Sequence, residues 1–405
     1  MKKKIRYLLY ILISFLLSTL ILTLSENQTN WHYFWRLIKV PSMWPAFADI
    51  DHIFQSISCK LIGIDPFIDN PCDYNNVRYQ YPVLWLFLFE YLNLNIYKNF
   101  QFFLFLSLSL LFIVYFLLLE ISKKISSKVI LLVLFFSTTS TLLIERGNVD
   151  HILFVLTFSV ILFSSSYYKI IVISLASLLK IYPFYSFFYL IRKQNKLLLL
   201  IIVMMIIAYF LYEISLSKYI HKNHSIMAMS QTFGIQSITE GFFKIFEKTN
   251  FLYLSENGKN LIRIISSITF LGICFLVFYI GSKLADNFFL KDSISNKEQE
   301  SLFILGSTIY IGCYIFYSNI DYRLIFLYLT IPYFENFNKK IFFTYSFSLI
   351  IICNSFLIGF APLTLNHFIY TSVLYLIKIS ITIFLSLILG NISKNLFDKK
   401  KYDYF

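Results

Sequence analysis

Long, uninterrupted apolar runs are the feature that most restricts what this chain can fold into. Runs at 7–24, 100–119, 261–281 and 368–390 are each long enough for a helix to cross a hydrocarbon core of about 30 Å. They are continuous, whereas the strands of a transmembrane barrel alternate apolar and polar positions over short segments. We therefore predict an all-α polytopic membrane protein.

The composition agrees with this class. The chain is 58% hydrophobic and only 14% charged, and its mean hydropathy is +0.69, which leaves too little polar surface for a soluble domain. No small-x-small cleavage site follows the run at 7–24, so we interpret it as an uncleaved first span. The net charge of +13 lies mostly in short clusters between apolar runs, so it indicates orientation in the membrane, and we expect no binding to nucleic acid.

Basic clusters indicate which ends of the spans face the cytoplasm, because cytoplasmic loops carry an excess of lysine and arginine. The clusters are Lys2–Lys4 with Arg6; Lys123, Lys124 and Lys128; Lys169; Arg192, Lys193 and Lys196; Lys339 and Lys340; and Lys399–Lys401. Placing all of them inside predicts a bundle of about 10–12 transmembrane helices with both termini in the cytoplasm. The crossings at 129–144 and 152–168 are among these helices.

Two segments do not fit as simple spans. The segment 82–95 carries Glu90 near its middle, and a crossing there would put the next basic cluster on the outer side of the membrane. We therefore predict a juxtamembrane helix in a long first outer loop, 25–99.

The run 170–191 carries Lys180, and a lysine at mid-membrane costs about 2.5–3.5 kcal/mol. We predict two short helices that meet near Tyr182 and Pro183, because proline disfavours helix at the residue before it.

The same topology brings the unusual polar motifs to one side of the membrane. The outer segments are the loop 25–99, ERGNVD at 145–150, the break at Lys180, the loop 213–258 and SNIDYR at 318–323. We divide the chain into a catalytic membrane module, 1–258, and further helices, 259–405, that complete the same domain. Such convergence favours a functional site on the extracytoplasmic face.

Asp49 and Asp51, in the loop stretch WPAFADIDHI, are candidates for acid–base chemistry. A carboxylate at a membrane interface among apolar side chains can have a raised pKa and act as a general base. Two alternatives stay open: the pair binds a divalent cation, or the aspartates cap helices in a solvated loop.

Arg146 and Lys180 suit an anionic ligand, since the guanidinium group matches phosphate geometry and the ammonium group acts as a point charge. The alternative is an ion pair of Arg146 with Glu145 or Asp150, with Lys180 reaching the membrane surface.

Other polar groups are less specific. Asp321 and Arg323 form either part of the site or an interhelical ion pair, and Glu213 and Lys378 lie near or within apolar runs. Cys59 and Cys72 share one loop. Whether they form a disulfide depends on whether that loop faces an oxidising compartment. His221 and His224 have no third ligand at a suitable spacing, so we predict no metal site there. No Gly-rich phosphate loop, G-x-S-x-G or H-E-x-x-H is present.

The order of these motifs resembles that of the GT-C membrane glycosyltransferases. The likeness is greatest to the bacterial branch that includes the polyprenyl-phosphomannose-dependent mannosyltransferases of glycosyltransferase family 87. The matching stretches are FADIDHI at 47–53, YQYPVLWLFLFEYL at 79–92, ERGNVD at 145–150, LLKIYPF at 178–184 and NIDYRLIFL at 319–327.

The resemblance implies a GT-C-like bundle in a bacterial inner or plasma membrane and an inverting transfer of mannose or another sugar. The donor would be a polyprenyl-phosphate-linked sugar, the acceptor a lipid or glycan, and no cofactor would be needed. It also implies that Asp49, or else Asp51, is the catalytic base. The residues implied at the donor phosphate are Arg146, Lys180 and Arg323. Those expected to contact substrate are Arg78, Tyr81, Glu145, Asn148, Asp150, Tyr182, Asp321 and Tyr322.

Two other functions are compatible with a polytopic protein of this kind. A transporter or flippase of lipid-linked glycans needs polar residues along a route through the bilayer, whereas most ionisable residues here gather at one face. A polymerase or ligase of the O-antigen type would also act outside on lipid-linked sugars, and its product would be an extended saccharide.

Overall fold

The computed structural model describes eight stretches of the chain, and these are almost entirely helical. They are 2–94, 97–190, 196–216, 232–248, 255–284, 296–316, 319–355 and 365–397. The strands found there are two short ones, β1 (Thr232–Phe233) and β2 (Asn319–Ile320), which pair antiparallel. The all-α prediction therefore agrees with the structure.

Sixteen α-helices occur in the described stretches, with 3₁₀ segments at Val160–Leu162, Tyr182–Tyr189 and Asp321–Thr330. The helices are α1 (Lys2–Ser25), α2 (Gln28–Leu37), α3 (Ala48–Leu61), α4 (Val83–Tyr91), α5 (Tyr97–Ile121), α6 (Ile125–Phe135), α7 (Thr138–Arg146), α8 (Asp150–Ser159), α9 (Ser166–Leu179), α10 (Lys196–Leu216), α11 (Ile235–Lys248), α12 (Glu256–Lys283), α13 (Lys297–Phe316), α14 (Ile331–Phe334), α15 (Lys339–Cys353) and α16 (Leu365–Phe397).

Four described helices are long and apolar enough to cross a membrane, and they make this an integral membrane protein. They lie at Lys4–Ser25, Tyr97–Ile121, Glu256–Lys283 and Tyr370–Lys394. The pair α6 and α7 adds a fifth if the two helices count as one broken span. The total of about 10–12 spans stays a prediction.

Two expected spans have a different form. The run 129–144 was expected to be one helix, but it breaks at Phe136 and Ser137 into α6 and α7. At the break, the carbonyl of Leu134 accepts the backbone N–H of Ser137 at 3.0 Å and the hydroxyl of Tyr328 at 2.9 Å. The expected span 152–168 is α8 with its 3₁₀ extension, followed by the start of α9 at Ser166.

The predicted break at Lys180 is present. Helix α9 ends at Leu179, Lys180 has extended backbone (φ −164°, ψ 140°), and a 3₁₀ segment follows from Tyr182. The pre-proline residue Tyr182 is itself the first residue of this 3₁₀ segment, so the break lies at Lys180 and Ile181, slightly before the junction predicted near Tyr182 and Pro183.

The chain groups into two compact units, each assembled from separate stretches. The first contains 1–120, 140–187 and 193–224, and the second contains 121–139, 188–192 and 225–405. The division at residue 258 within a single domain stays a prediction.

In the first unit, α1 and α5 run antiparallel. Arg6 near the start of α1 pairs with Glu120 near the end of α5 at 2.8 Å, and Ser18 accepts a hydrogen bond from Ser109 at 3.0 Å. The segment 26–96 therefore begins and ends at the same end of this helix pair. Within that segment α4 has nine residues, which is too short to cross a bilayer.

In the second unit, α13 is buried on all sides and forms the core. Helices α12 and α16 lie so close that a Cβ on Gly281 would be 2.0 Å from the carbonyl oxygen of Leu387. A Cβ on Gly390 would likewise be 1.9 Å from the carbonyl oxygen of Phe278. Small residues at membrane helix interfaces allow such close backbone packing.

Candidate functional site

Asp49 and Asp51 lie in the first turn of α3, within the first unit. The helix starts after Phe47, which has a left-handed backbone (φ 58°), and its carbonyl accepts the N–H groups of Ile50 and Asp51, both at 3.0 Å. Carboxylates are favoured in a first helical turn because free N–H groups and the helix dipole point there. Both aspartates are half-buried.

Gly147 of ERGNVD lies against the start of α3. Its φ is +56°, and a Cβ there would lie 2.7 Å from the Cβ of Phe47 and 3.0 Å from Cγ2 of Ile50. Only glycine fits this contact without a shift of the neighbouring chain. The two motifs, about 100 residues apart in sequence, are therefore packed together through a position that has no side chain.

Glu145 holds the loop that precedes α3. Its side chain is completely buried, and Oε1 accepts the backbone N–H of Met43 at 2.6 Å. The indole of Trp31 donates to the carbonyl of Met43 at 3.1 Å, so both backbone polar groups of Met43 are bound. Glu145 was predicted to contact substrate; its carboxylate contacts the loop and Arg146.

Asn148 connects the turn directly to Asp49. Its Nδ2 donates to Oδ2 of Asp49, and its Oδ1 accepts the backbone N–H of Asp150 at 3.0 Å. Nδ1 of His151 bonds to the backbone carbonyl of Asn148 at 2.6 Å. Both ends of the Asn148 amide are thus used, and the carboxylate of Asp49 is held against ERGNVD.

The two predicted phosphate ligands of this unit each contact a buried carboxylate. Nε of Arg146 lies 3.1 Å from Oε2 of Glu145, and Nζ of Lys180 lies 2.5 Å from Oδ1 of Asp150. The cationic side chains keep exposures of 20% and 14%, whereas both carboxylate side chains are at 0%. The ion pair of Arg146 with Glu145 is present, as the alternative interpretation stated, and that of Lys180 with Asp150 was not foreseen.

Aromatic residues from two elements surround Lys180. Its Nζ is 5.5 Å from the ring centre of Tyr81 and 5.8 Å from that of Tyr182. The indole of Trp85, on α4, donates to the carbonyl of Leu179 at 2.9 Å and so fixes α4 to the end of α9. Tyr81 and Tyr182, both predicted substrate contacts, therefore lie beside this lysine.

The carboxyl of Asp49 responds to all of these groups. Burial raises its pKa above the ordinary value, the Asn148 hydrogen bond and the charges of Arg146 and Lys180 act to lower it, and Asp150 acts to raise it. Burial also raises the pKa of Asp51 to about 6, against a hydrogen bond with Gln55. Asp49 has these charged neighbours and Asp51 does not, so the geometry favours Asp49 over its rival.

A carboxylate–imidazole contact lies further along α3 and was missed in the sequence. Nδ1 of His52 is 2.8 Å from Oδ1 of Asp73, and Oδ2 of Asp73 accepts the backbone N–H groups of Asn75 and Val77, both at 3.0 Å. The His52 ring stacks on Tyr79 with 5.9 Å between ring centres. No short-range spacing signals a pair 21 residues apart.

Cys59 and Cys72 are joined by a disulfide, which settles the possibility left open by their loop placement. Asn70 donates to Ser56 at 3.0 Å beside it. Segment 70–77 is thus fastened along one side of α3.

In the described stretches, no group of three His, Cys, Asp or Glu side chains comes together as a metal site requires. A divalent cation at Asp49 and Asp51 stays an alternative interpretation.

In the second unit, Asp321 has a different partner from the one considered in the sequence. Nζ of Lys378 donates to its Oδ1 at 2.8 Å and to the carbonyl of Thr232 at 3.1 Å, and Ser355 donates to its Oδ2 at 2.5 Å. Both charged side chains are almost completely buried. The alternative of an Asp321–Arg323 ion pair is replaced by an Asp321–Lys378 pair.

Arg323 is half-buried and donates to Oδ1 of Asn319, and Tyr322 is buried. Arg78 is exposed in the loop before α4. The roles of these three residues stay predictions. The predictions for His221, His224 and the side chain of Glu213 lie outside the described residues.

Comparisons with known proteins provide no family for this chain: no family model, curated protein or solved structure matches it.

Proposed function

We propose that this protein is an inverting glycosyltransferase that moves a sugar from a polyprenyl-phosphate donor to a hydroxyl of a lipid or glycan. The reaction would take place on the extracytoplasmic side of a bacterial inner or plasma membrane. Asp49 acts as the base, and Arg146 and Lys180 bind the donor phosphate.

One observation carries the proposal. The carboxylate of Asp49 accepts a hydrogen bond from Asn148, and the charges of Arg146 and Lys180 act to lower its pKa. Three segments far apart in sequence therefore contribute to one cluster. A base and two cations in one place are what displacement of a sugar from phosphate requires.

The chemistry balances with these groups. Asp49 takes the proton of the acceptor hydroxyl while the oxygen of that hydroxyl forms a bond to the anomeric carbon. The bond from that carbon to the phosphate oxygen breaks, and its electron pair leaves with the polyprenyl phosphate. Cations stabilise the charge that develops on this oxygen, most effectively where water is scarce. A positioned base contributes about 10²–10⁴-fold.

The buried carboxylates hold the two cations in position and leave them accessible to a ligand. Glu145 and Asp150 fix the positions of Arg146 and Lys180, which remain partly exposed. Fixed cations cost no reorganisation when the phosphate charge develops. Three carboxylates and two cations leave the cluster with one excess negative charge when all five groups are ionised. The role of Arg323 at the donor phosphate rests on the resemblance alone.

The disulfide supports the orientation. Cysteine pairs persist in oxidising compartments and are rare in the cytosol. Cys59 lies on the same helix as Asp49, so its disulfide with Cys72 favours the placement of this helix outside the cytoplasm.

Transfer by reconstituted protein tests the proposal. The protein in lipid vesicles is given radiolabelled polyprenyl-phosphate sugars, including mannose, with a lipid extract as acceptor. We expect labelled glycolipid from the unaltered protein, a loss of at least about 100-fold in Asp49→Asn, and full activity in Asp69→Asn, which alters an exposed aspartate of the same loop.

Asp51→Asn separates the two candidate bases. Activity retained in Asp49→Asn and lost in Asp51→Asn would move the role to Asp51. Absence of transfer with every donor, together with uptake of intact lipid-linked sugar, would replace the proposal by transport.

A further inference from the structure

We propose that Asn148 is a positioning residue for the base: its amide nitrogen holds Oδ2 of Asp49 and leaves Oδ1 to receive the proton of the acceptor hydroxyl. This inference rests on the proposed function for the identity of that proton. The arrangement of Asn148 and Asp49 itself is a feature of the fold.

The orientation of the Asn148 amide is determined by its surroundings. An amide group can be placed in either of two orientations, and only its hydrogen-bond partners distinguish them. Here Oδ1 accepts the backbone N–H of Asp150 at 3.0 Å, and a backbone N–H can only donate. The NH₂ group must therefore face Asp49, where it acts as a donor.

The backbone of Asn148 is held as well. The N–H of Asn148 donates to the carbonyl of Leu143 at 3.2 Å, and the carbonyl of Asn148 is bonded to Nδ1 of His151 at 2.6 Å. His151 is completely buried, so this contact is protected from water. Asn148 thus has little freedom to turn away from Asp49.

A donor at this position favours one protonation state of Asp49. A hydrogen bond to a carboxylate stabilises the charged form, which is the form that can accept a proton. The described part of the chain supplies a donor to Oδ2 alone, so Oδ1 is the oxygen available to a substrate hydroxyl.

Other charges face the same carboxylate and set the background against which Asn148 acts. Arg146, Glu145 and Asp150 come from ERGNVD, and Lys180 comes from the end of α9. They are unchanged when only Asn148 is replaced. Asn148→Asp has nearly the same shape, but it removes the donor and places a second carboxylate beside the first. Like charges at this distance raise a carboxyl pKa.

The test measures the protonation of Asp49 directly. A water-soluble carbodiimide and an amine react with protonated carboxyl groups, and peptide mass spectrometry after reaction at a series of pH values gives the midpoint for Asp49. We expect the midpoint to rise by about one to two pH units in Asn148→Asp. It should stay in place in Asn30→Asp, which adds the same charge at an exposed position of α2.

The rate of sugar transfer is measured on the same proteins. The acid limb of the rate profile should move with the Asp49 midpoint, and KM for the donor should change less than kcat. Asn148→Ala removes the donor without adding charge, so the Asp49 midpoint and the acid limb should rise by a smaller amount than in Asn148→Asp. Asn148→Ala also serves as the second variant if Asn148→Asp does not fold.

The outcomes separate this inference from the proposed function. An Asp49 midpoint that is the same in the unaltered protein and in both Asn148 variants would overturn the inference. A shifted midpoint in a protein that transfers no sugar would support the link between Asn148 and Asp49 and overturn the proposed function. A shifted midpoint with an unshifted rate profile would show that Asp49 is not the base.

Discussion

At the scale of single residues, ERGNVD combines contacts that hold the start of α3 with a cation that remains partly exposed. Glu145 binds the loop at Met43, Gly147 leaves room for Phe47, and Asn148 binds Asp49. Arg146 lies between them and remains partly exposed. One six-residue motif therefore both holds the helix that carries the base and presents a cation beside it.

Gly147→Ala should damage the site through a contact and not through backbone strain alone. The added methyl group meets Phe47 at 2.7 Å and displaces the start of α3. A shift of about 1 Å at a catalytic group can cost roughly 100-fold in rate, so we expect about that loss of kcat in the transfer assay.

Gly63→Ala is the matched control for that prediction. Gly63 also has positive φ (+84°), but a Cβ there meets nothing within 4 Å. It should bear the same kind of strain, of about 1 kcal/mol, and keep its activity. Equal losses in the two variants would show that strain, and not contact with Phe47, is the cause.

At the scale of elements, the first turn of α3 carries the base, and the following turns carry three side chains that bind the segment 70–73. His52, Ser56 and Cys59 recur at helical spacing on one face and bind Asp73, Asn70 and Cys72, respectively. The fastened segment leads into Tyr79 and Tyr81, and Tyr81 lies beside Lys180. We infer that the loop is rigid so that α3 and α4 keep a constant relation to the cation.

Removal of the disulfide tests that role. The bridge closes a loop with a sequence separation of 13, and such a loop stabilises the fold by about 3 kcal/mol. Cys59→Ser with Cys72→Ser should make segment 62–82 sensitive to limited proteolysis and lower the melting temperature. Cys274→Ser, a buried free thiol on α12, should leave proteolysis of the loop unchanged.

The packing of α12 on α16 gives a second prediction at this scale. Gly281→Ala should lower the melting temperature in detergent clearly, because its Cβ would lie 2.0 Å from a backbone oxygen of α16. Gly272→Ala on the same helix meets nothing within 4 Å and should be neutral or slightly stabilising, since alanine favours a helix by about 1 kcal/mol over glycine. Equal effects would mean that the close approach does not contribute to stability.

At the scale of the whole molecule, the sequence predicted what depends on local pattern. Apolar run length indicated the spans, and the charge of Lys180 in an apolar run indicated a break, which lies at Lys180 and Ile181 and not at Tyr182 and Pro183. The grouping of Asp49 with ERGNVD was expected from topology and motif resemblance; the contact through Asn148 was not.

Pairings over long sequence separations were beyond such patterns. The Lys378–Asp321 pair and the Glu145–Met43 hydrogen bond join residues 57 and 102 positions apart, and nothing in the spacing of either partner specifies the other. The breaks at Phe136 and after Leu162 were also missed, although hydroxyl residues follow each of them, at 137–141 and 164–166.

A structure with a bound donor analogue tests the central claim most directly. Cryo-electron microscopy of the protein in lipid nanodiscs with a polyprenyl phosphonate sugar, which cannot transfer its sugar, would locate the phosphonate. The account predicts phosphonate oxygens in contact with Arg146 and Lys180 and the anomeric carbon facing Asp49. A phosphonate bound elsewhere, with Asp49 remote from the sugar, would contradict it.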